Sequence, residues 1–231
     1  MRSLHFRLIA ACLLGASLMF ATAAHADSFK ATGFVNGSQT VTLVSPGFAT
    51  RDVSAGAFSL ATPAGDISYC IDIFEGISFG TTYNNVIKTP LAADSFILPI
   101  SATRKGEIAQ LYHSFYFDSL TSSTKSAAFQ LALWEILYET SSTLNVDGND
   151  ATHKGFTDAN SPDTPAGVIS QADTWLAGLG GSTDTTGLFT YRRGDFQDQL
   201  VYHPTPEPPA WVLLGAGLGV VAFLVRRRAI S

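Results

Sequence analysis

The sequence predicts an α+β domain carried between two export segments. Three observations predict it. Residues 28 to about 90 show short alternating runs punctuated by Gly and Pro, whereas residues 101–139 repeat at three- and four-residue steps. The amino terminus is apolar and ends in a small-x-small site. A proline-rich linker near the carboxy terminus leads into an apolar run and three arginines.

Residues 1–26 read MRSLHFRLIAACLLGASLMFATAAHA. Arg2 and Arg7 form a basic start, Leu8 to Phe20 are almost wholly apolar, and Ala24-His25-Ala26 is a cleavage site. This is a signal-peptide pattern, so residues 1–26 are excluded from the fold. Ile9-Ala10-Ala11-Cys12 resembles a lipoprotein box, but only a few apolar residues precede it. Removal of the signal peptide would take Cys12 with it. Cys70 would then be the sole cysteine, in a compartment where thiols usually pair or oxidise.

The domain between, residues 27–203, carries nine Lys plus Arg against eighteen Asp plus Glu, a net charge of minus nine. That balance argues against nucleic-acid binding. Thr40-Val41-Thr42-Leu43-Val44 and Ala57-Phe58-Ser59-Leu60-Ala61 read as strands. Ile67, Tyr69, Ile71 and Ile73 alternate with Ser68, Cys70 and Asp72, which places Cys70 on the less apolar face of a strand.

Ile108, Leu111, Tyr112 and Phe115 recur at helical spacing, and Ser123 to Glu139 forms the clearest helix. Ala127, Gln130, Leu133, Trp134 and Leu137 share one side of it, with Glu135 and Glu139 directed elsewhere. Gln130 thus stands on the stripe expected to be buried, where an amide needs hydrogen-bond partners. Bonding to strand backbone would satisfy it. Residues 140–165 read as a long polar loop. Thr164-Pro165 opens a helix that runs through Trp175 and Leu176 and stops at Gly178. Leu188–Tyr191 and Leu200–Tyr202 read as closing strands.

The carboxy-terminal segment, residues 204–231, holds Pro206-Glu207-Pro208, an apolar run from Ala210 to Val225, and Arg226-Arg227-Arg228. Sixteen residues at ~1.5 Å each give ~24 Å, short against a bilayer core of ~30 Å. The arginines suit the cytoplasmic side. Read as composition, this is a marginal membrane tail or a permanent single-span anchor. Its tripartite order resembles the PEP-CTERM sorting signal of Gram-negative bacteria that make exopolysaccharide and biofilm. The resemblance implies a partner, an exosortase-type membrane protease that cuts near Pro206-Glu207-Pro208. It also implies an inner-membrane-anchored precursor, delivered to the cell surface or the extracellular matrix.

Tyr69-Cys70-Ile71-Asp72, followed by Phe129-Gln130-Leu131-Ala132-Leu133-Trp134, resembles the two motif blocks of thioester domains in bacterial surface adhesins. Phe129 stands where that family often has Thr or Ser. The resemblance covers these two blocks, sixty residues apart. It implies a β-sandwich-like fold with an inserted helical subdomain, and an internal thioester between the Cys70 and Gln130 side chains. Trp134 would shield that bond or simply pack in the core, and Tyr69 would likewise shield it or pack with Ile71. The expected role is covalent adhesion to an amine-bearing surface partner, without enzymatic turnover. The rival is a non-reactive structural matrix protein with Cys70 free.

Other chemistries have weaker support. Cys70, His113 and an Asp would be the parts of a cysteine hydrolase, but no diagnostic motif surrounds His113. Asn145–Asp150 alternates oxygen ligands as a calcium loop does, yet Gly is not at its sixth position and Phe156 replaces the final acid. Zinc spacing and a phosphate loop are both lacking, so no metal or cofactor is expected.

Overall fold

The computed structural model describes residues 26–45, 48–95, 100–139, 142–146 and 163–204. The amino-terminal half supplies strands β1 (Ala26–Phe34), β2 (Gln39–Ser45), β3 (Phe48–Ala55), β4 (Phe58–Leu60), β5 (Ile67–Cys70) and β6 (Thr82–Pro90). Three helices follow: α1 (Ala102–Ser119), α2 (Ser123–Tyr138) and α3 (Ala166–Ala177). Strands β7 (Leu188–Arg192) and β8 (Gln199–Tyr202) close the order. The helices are therefore an insertion between β6 and β7, which pair with each other.

Six strands form a closed barrel in the order β1-β4-β5-β8-β7-β6. All of its pairings are antiparallel. This corrects the sandwich-like expectation. β1 pairs with β4 through one stretch and with β6 through another, so both ends of the sheet meet on one strand. Register shifts between Asp27 and Phe29 and between Ala31 and Gly33 bend it for that task. Gly33 takes a φ of 153°, which a side chain would disfavour. Inside, Phe29 meets Tyr83, Tyr191 and Phe196 at ring separations of 5.6, 5.9 and 5.2 Å. Strands β2 and β3 form a separate two-stranded sheet.

The helix ends follow local chemistry. Ser101 and Ser122 cap α1 and α2, each side chain accepting from the backbone N–H three residues on. Pro165 precedes α3 and Gly178 follows it, in agreement with the sequence reading. The expected one-sided stripe on α2 is corrected: every residue from Ser126 to Leu137 is buried, Glu135 among them. Strand β5, the β2–β3 sheet and the other two helices between them leave it no solvent face. A helix apolar nearly all round belongs inside a core.

No helix among the described residues is long and apolar enough to cross a membrane. The signal segment up to His25, the sorting residues Pro206, Glu207, Pro208, Arg226, Arg227 and Arg228, and the Asp147–Asp150 part of the calcium-like loop lie outside the described residues.

Candidate functional site

The site forms where β5 ends. Phe58 of β4 pairs with Ser68, and no β4 residue lies opposite Cys70. On the other side of the strand, Ile71 N–H already donates to Asp198 C=O at 2.9 Å. Backbone groups of successive strand residues point to opposite sides, so the N–H and C=O of Cys70 face the gap left by β4. Both must be satisfied, because Cys70 is buried.

Gln130 fills that gap. Its Oε1 accepts from Cys70 N–H at 2.8 Å, and its Nε2 donates to Cys70 C=O at 2.8 Å. A side-chain amide thus takes the place of one more strand residue. Placing Cys70 on the less apolar face suggests that it is no core filler, and this is corrected, since Ser68, Cys70 and Asp72 are all buried. Strand alternation separates two faces, but here helices and loops cover both.

The Cys70 thiol donates to Asp72 C=O at 2.9 Å. Burial pushes its pKa well above the ordinary thiol value, with the charges of Asp72 and Asp198 adding to the rise. Hydrogen bonds from the Asp72 backbone and the Trp134 side chain oppose it. Trp134 is one helical turn beyond Gln130, and a further turn brings Tyr138. Tyr138 Oη donates to Ile71 C=O at 2.8 Å and accepts from Ile73 N–H at 3.3 Å. One line along α2 therefore holds the whole segment from Cys70 to Ile73.

A cavity of about 390 Å³ opens beside Cys70. Cys70, Trp134, Glu75, Phe34, Phe58 and Phe79 contribute to its wall. Phe34 packs against Phe58 at 4.7 Å and edge-on to Phe79 at 5.3 Å. Tyr69 is not part of this wall. Its ring packs on Phe129 at 4.5 Å, and its hydroxyl bonds Ser119 Oγ at 2.7 Å, deep against the helices.

His113 is exposed on α1. Its Nε2 bonds Asp184 C=O at 2.7 Å and its Nδ1 bonds the Tyr202 hydroxyl at 3.2 Å. Both ring nitrogens are engaged away from the buried thiol, so the Cys–His pair of a hydrolase is not assembled. Among the described residues, no group of three or more His, Cys, Asp or Glu could hold a metal ion.

The sequence reading singled out Cys70, Gln130 and Trp134, and the fold brings these three together. It missed Tyr138 and Glu75. Tyr138 follows the same four-residue step as Gln130 and Trp134, a signal that was available. Glu75 had none, because its neighbours in the cavity wall come from β1, β3 and β4, distant in the chain. Comparison with family models, with curated proteins and with solved structures finds no match to this chain.

Proposed function

We propose that the protein is an exported adhesin-like domain in which Cys70 and Gln130 form an internal thioester that captures amines on a surface or matrix partner. The observation that carries this reading is the contact itself. Two motif blocks sixty residues apart meet with the Gln130 amide laid across Cys70 in a buried site. Rigid juxtaposition on a strand and a helix is what an unreactive amide requires. The Cys70 sulfur attacks the Gln130 carbonyl carbon, the C–N bond breaks, and nitrogen leaves as ammonia with the thiol proton. Rotation of the thiol away from Asp72 C=O begins that step. A partner amine later attacks the same carbon, forms an amide to Gln130 and returns the sulfur as a thiol. The tail implies sorting by an exosortase-type protease, from an inner-membrane precursor to the cell surface or biofilm matrix.

A second reading has its own observation. Gln130 fully satisfies the Cys70 backbone as an intact amide, and burial disfavours the thiolate. On that reading the pair is a structural ladder in a non-reactive matrix protein.

Intact mass separates them. The wild-type chain is expected to be lighter than its sequence mass by about 17 Da, one ammonia. Cys70→Ala and Gln130→Ala are expected to show no deficit, and methylamine is expected to add to the wild type alone. A full sequence mass with Cys70 titratable as a thiol leaves the structural reading.

A further inference from the structure

We propose that the cavity beside Cys70 is the entry port for an alkylammonium nucleophile, and that Glu75 is the carboxylate that receives it. The inference rests on the thioester reading above and assigns the port and the acceptor that reading lacks.

Three observations carry it. The cavity, about 390 Å³, falls within the range of small-molecule sites and has Cys70 in its wall. Its walls combine one acidic side chain with the rings of Phe34, Phe58 and Phe79. That lining suits a cation on an apolar stem, since ring faces attract ammonium groups and methylenes alike. Finally, Glu75 is held by its backbone while its carboxylate is uncommitted. Glu75 C=O accepts from Gln197 Nε2 at 3.2 Å, and the next carbonyl, of Gly76, accepts from Gln197 N–H at 3.1 Å. The Glu75 side chain takes no hydrogen bond or ion pair among the described residues.

The surrounding charges favour proton uptake at Glu75. Desolvation, then Asp72 and Asp195, raise its pKa above the ordinary carboxylate value. Arg51 of β3, an exposed residue, is the one cation in the wall among the described residues.

The step balances. An alkylammonium docks on the Glu75 carboxylate and gives it one proton, leaving a neutral amine. The amine attacks the Gln130 carbonyl carbon and the C–S bond breaks. The proton lost by the attacking nitrogen ends on the Cys70 sulfur, and Glu75 returns its own proton to water.

The test uses the full chain as wild type, Glu75→Gln and Glu75→Asp, with n-butylamine and hydroxylamine as probes. Initial mass reports the thioester, and the rate of adduct formation reports the port. At neutral pH n-butylamine is an ammonium ion, whereas hydroxylamine is uncharged. Glu75→Gln is expected to keep the deficit of about 17 Da and to slow n-butylamine addition by about tenfold. Its hydroxylamine rate is expected to stay within about twofold of wild type. Glu75→Asp is expected to fall between. Equal slowing of both probes, or of neither, with the deficit intact, overturns the role of Glu75 while the thioester stands. A wild type without the deficit overturns the thioester reading and this inference with it.

Discussion

At the scale of single residues, two buried polar side chains on α2 have opposite fates. Gln130 makes both of its amide bonds to one residue's backbone and is satisfied as it stands. Glu135 is also fully buried, but it receives only the Asn145 N–H, at 2.9 Å, among the described residues. Burial raises its pKa to about 8 from an ordinary 4.5, aided by Glu139 and Asp173 and opposed by the Asn145 bond and Arg104. The folded state therefore binds the Glu135 proton more tightly than the unfolded chain does. The stability this confers is complete below about pH 4.5 and is lost as pH rises towards about 8. Glu135→Gln keeps a neutral group in the same space. It is expected to flatten the decline in melting temperature across that window, measured against wild type in a pH series. A parallel decline in both proteins would show that Glu135 does not control it.

At the scale of elements, α2 acts as a rod that carries three contacts at four-residue spacing. Gln130 holds Cys70, Trp134 meets the thiol, and Tyr138 bridges Ile71 and Ile73. The bridge spans the exit from β5, where strand pairing stops and backbone groups need other partners. Tyr138→Phe removes the hydroxyl and leaves the ring, so Ile71 C=O and Ile73 N–H lose a shared partner. The expected cost is about 1–2 kcal/mol in urea denaturation. If a thioester forms, its yield by mass is expected to fall as well, because the segment bearing Cys70 loosens. The helix itself was readable from the apolar spacing between Ser123 and Glu139. Its burial on every side was not, since the one-dimensional pattern of a helix names its most apolar side and not the number of neighbours it will have.

At the scale of the whole molecule, closure depends on elements far apart in the chain. Arg192 of β7 donates to Asp94, just after β6, at 2.7 Å and to Asp198, just before β8, at 2.8 Å. Both carboxylates are buried, and desolvation raises Asp198 to about 6 even with the guanidinium opposing it. Arg192→Ala would leave two buried acids uncompensated. It is expected to destabilise the domain by about 3 kcal/mol at neutral pH, with part of the loss recovered on acidification, as read by thermal unfolding. An equal loss at pH 4 and pH 7 would show that packing of the Arg192 stem, rather than its charge, held the strands.

The same three scales divide what the residues dictate from what the fold decides. Strand and helix positions follow from local chemistry: alternation around Ile67–Ile73, serine caps at Ser101 and Ser122, and the stop at Gly178 are properties of neighbouring residues. So are the oddity of a lone Cys70 and of Gln130 on an apolar stripe. The barrel instead of a sandwich was decided by β1 pairing at both of its edges, a matter of bulges and register that no local period encodes. The burial of Cys70 and the match of its backbone to Gln130 were decided where β4 ends, opposite Ser68. A free N–H and C=O exist only once the strands are aligned, and only packing of α2 across that gap shows which distant side chain answers them.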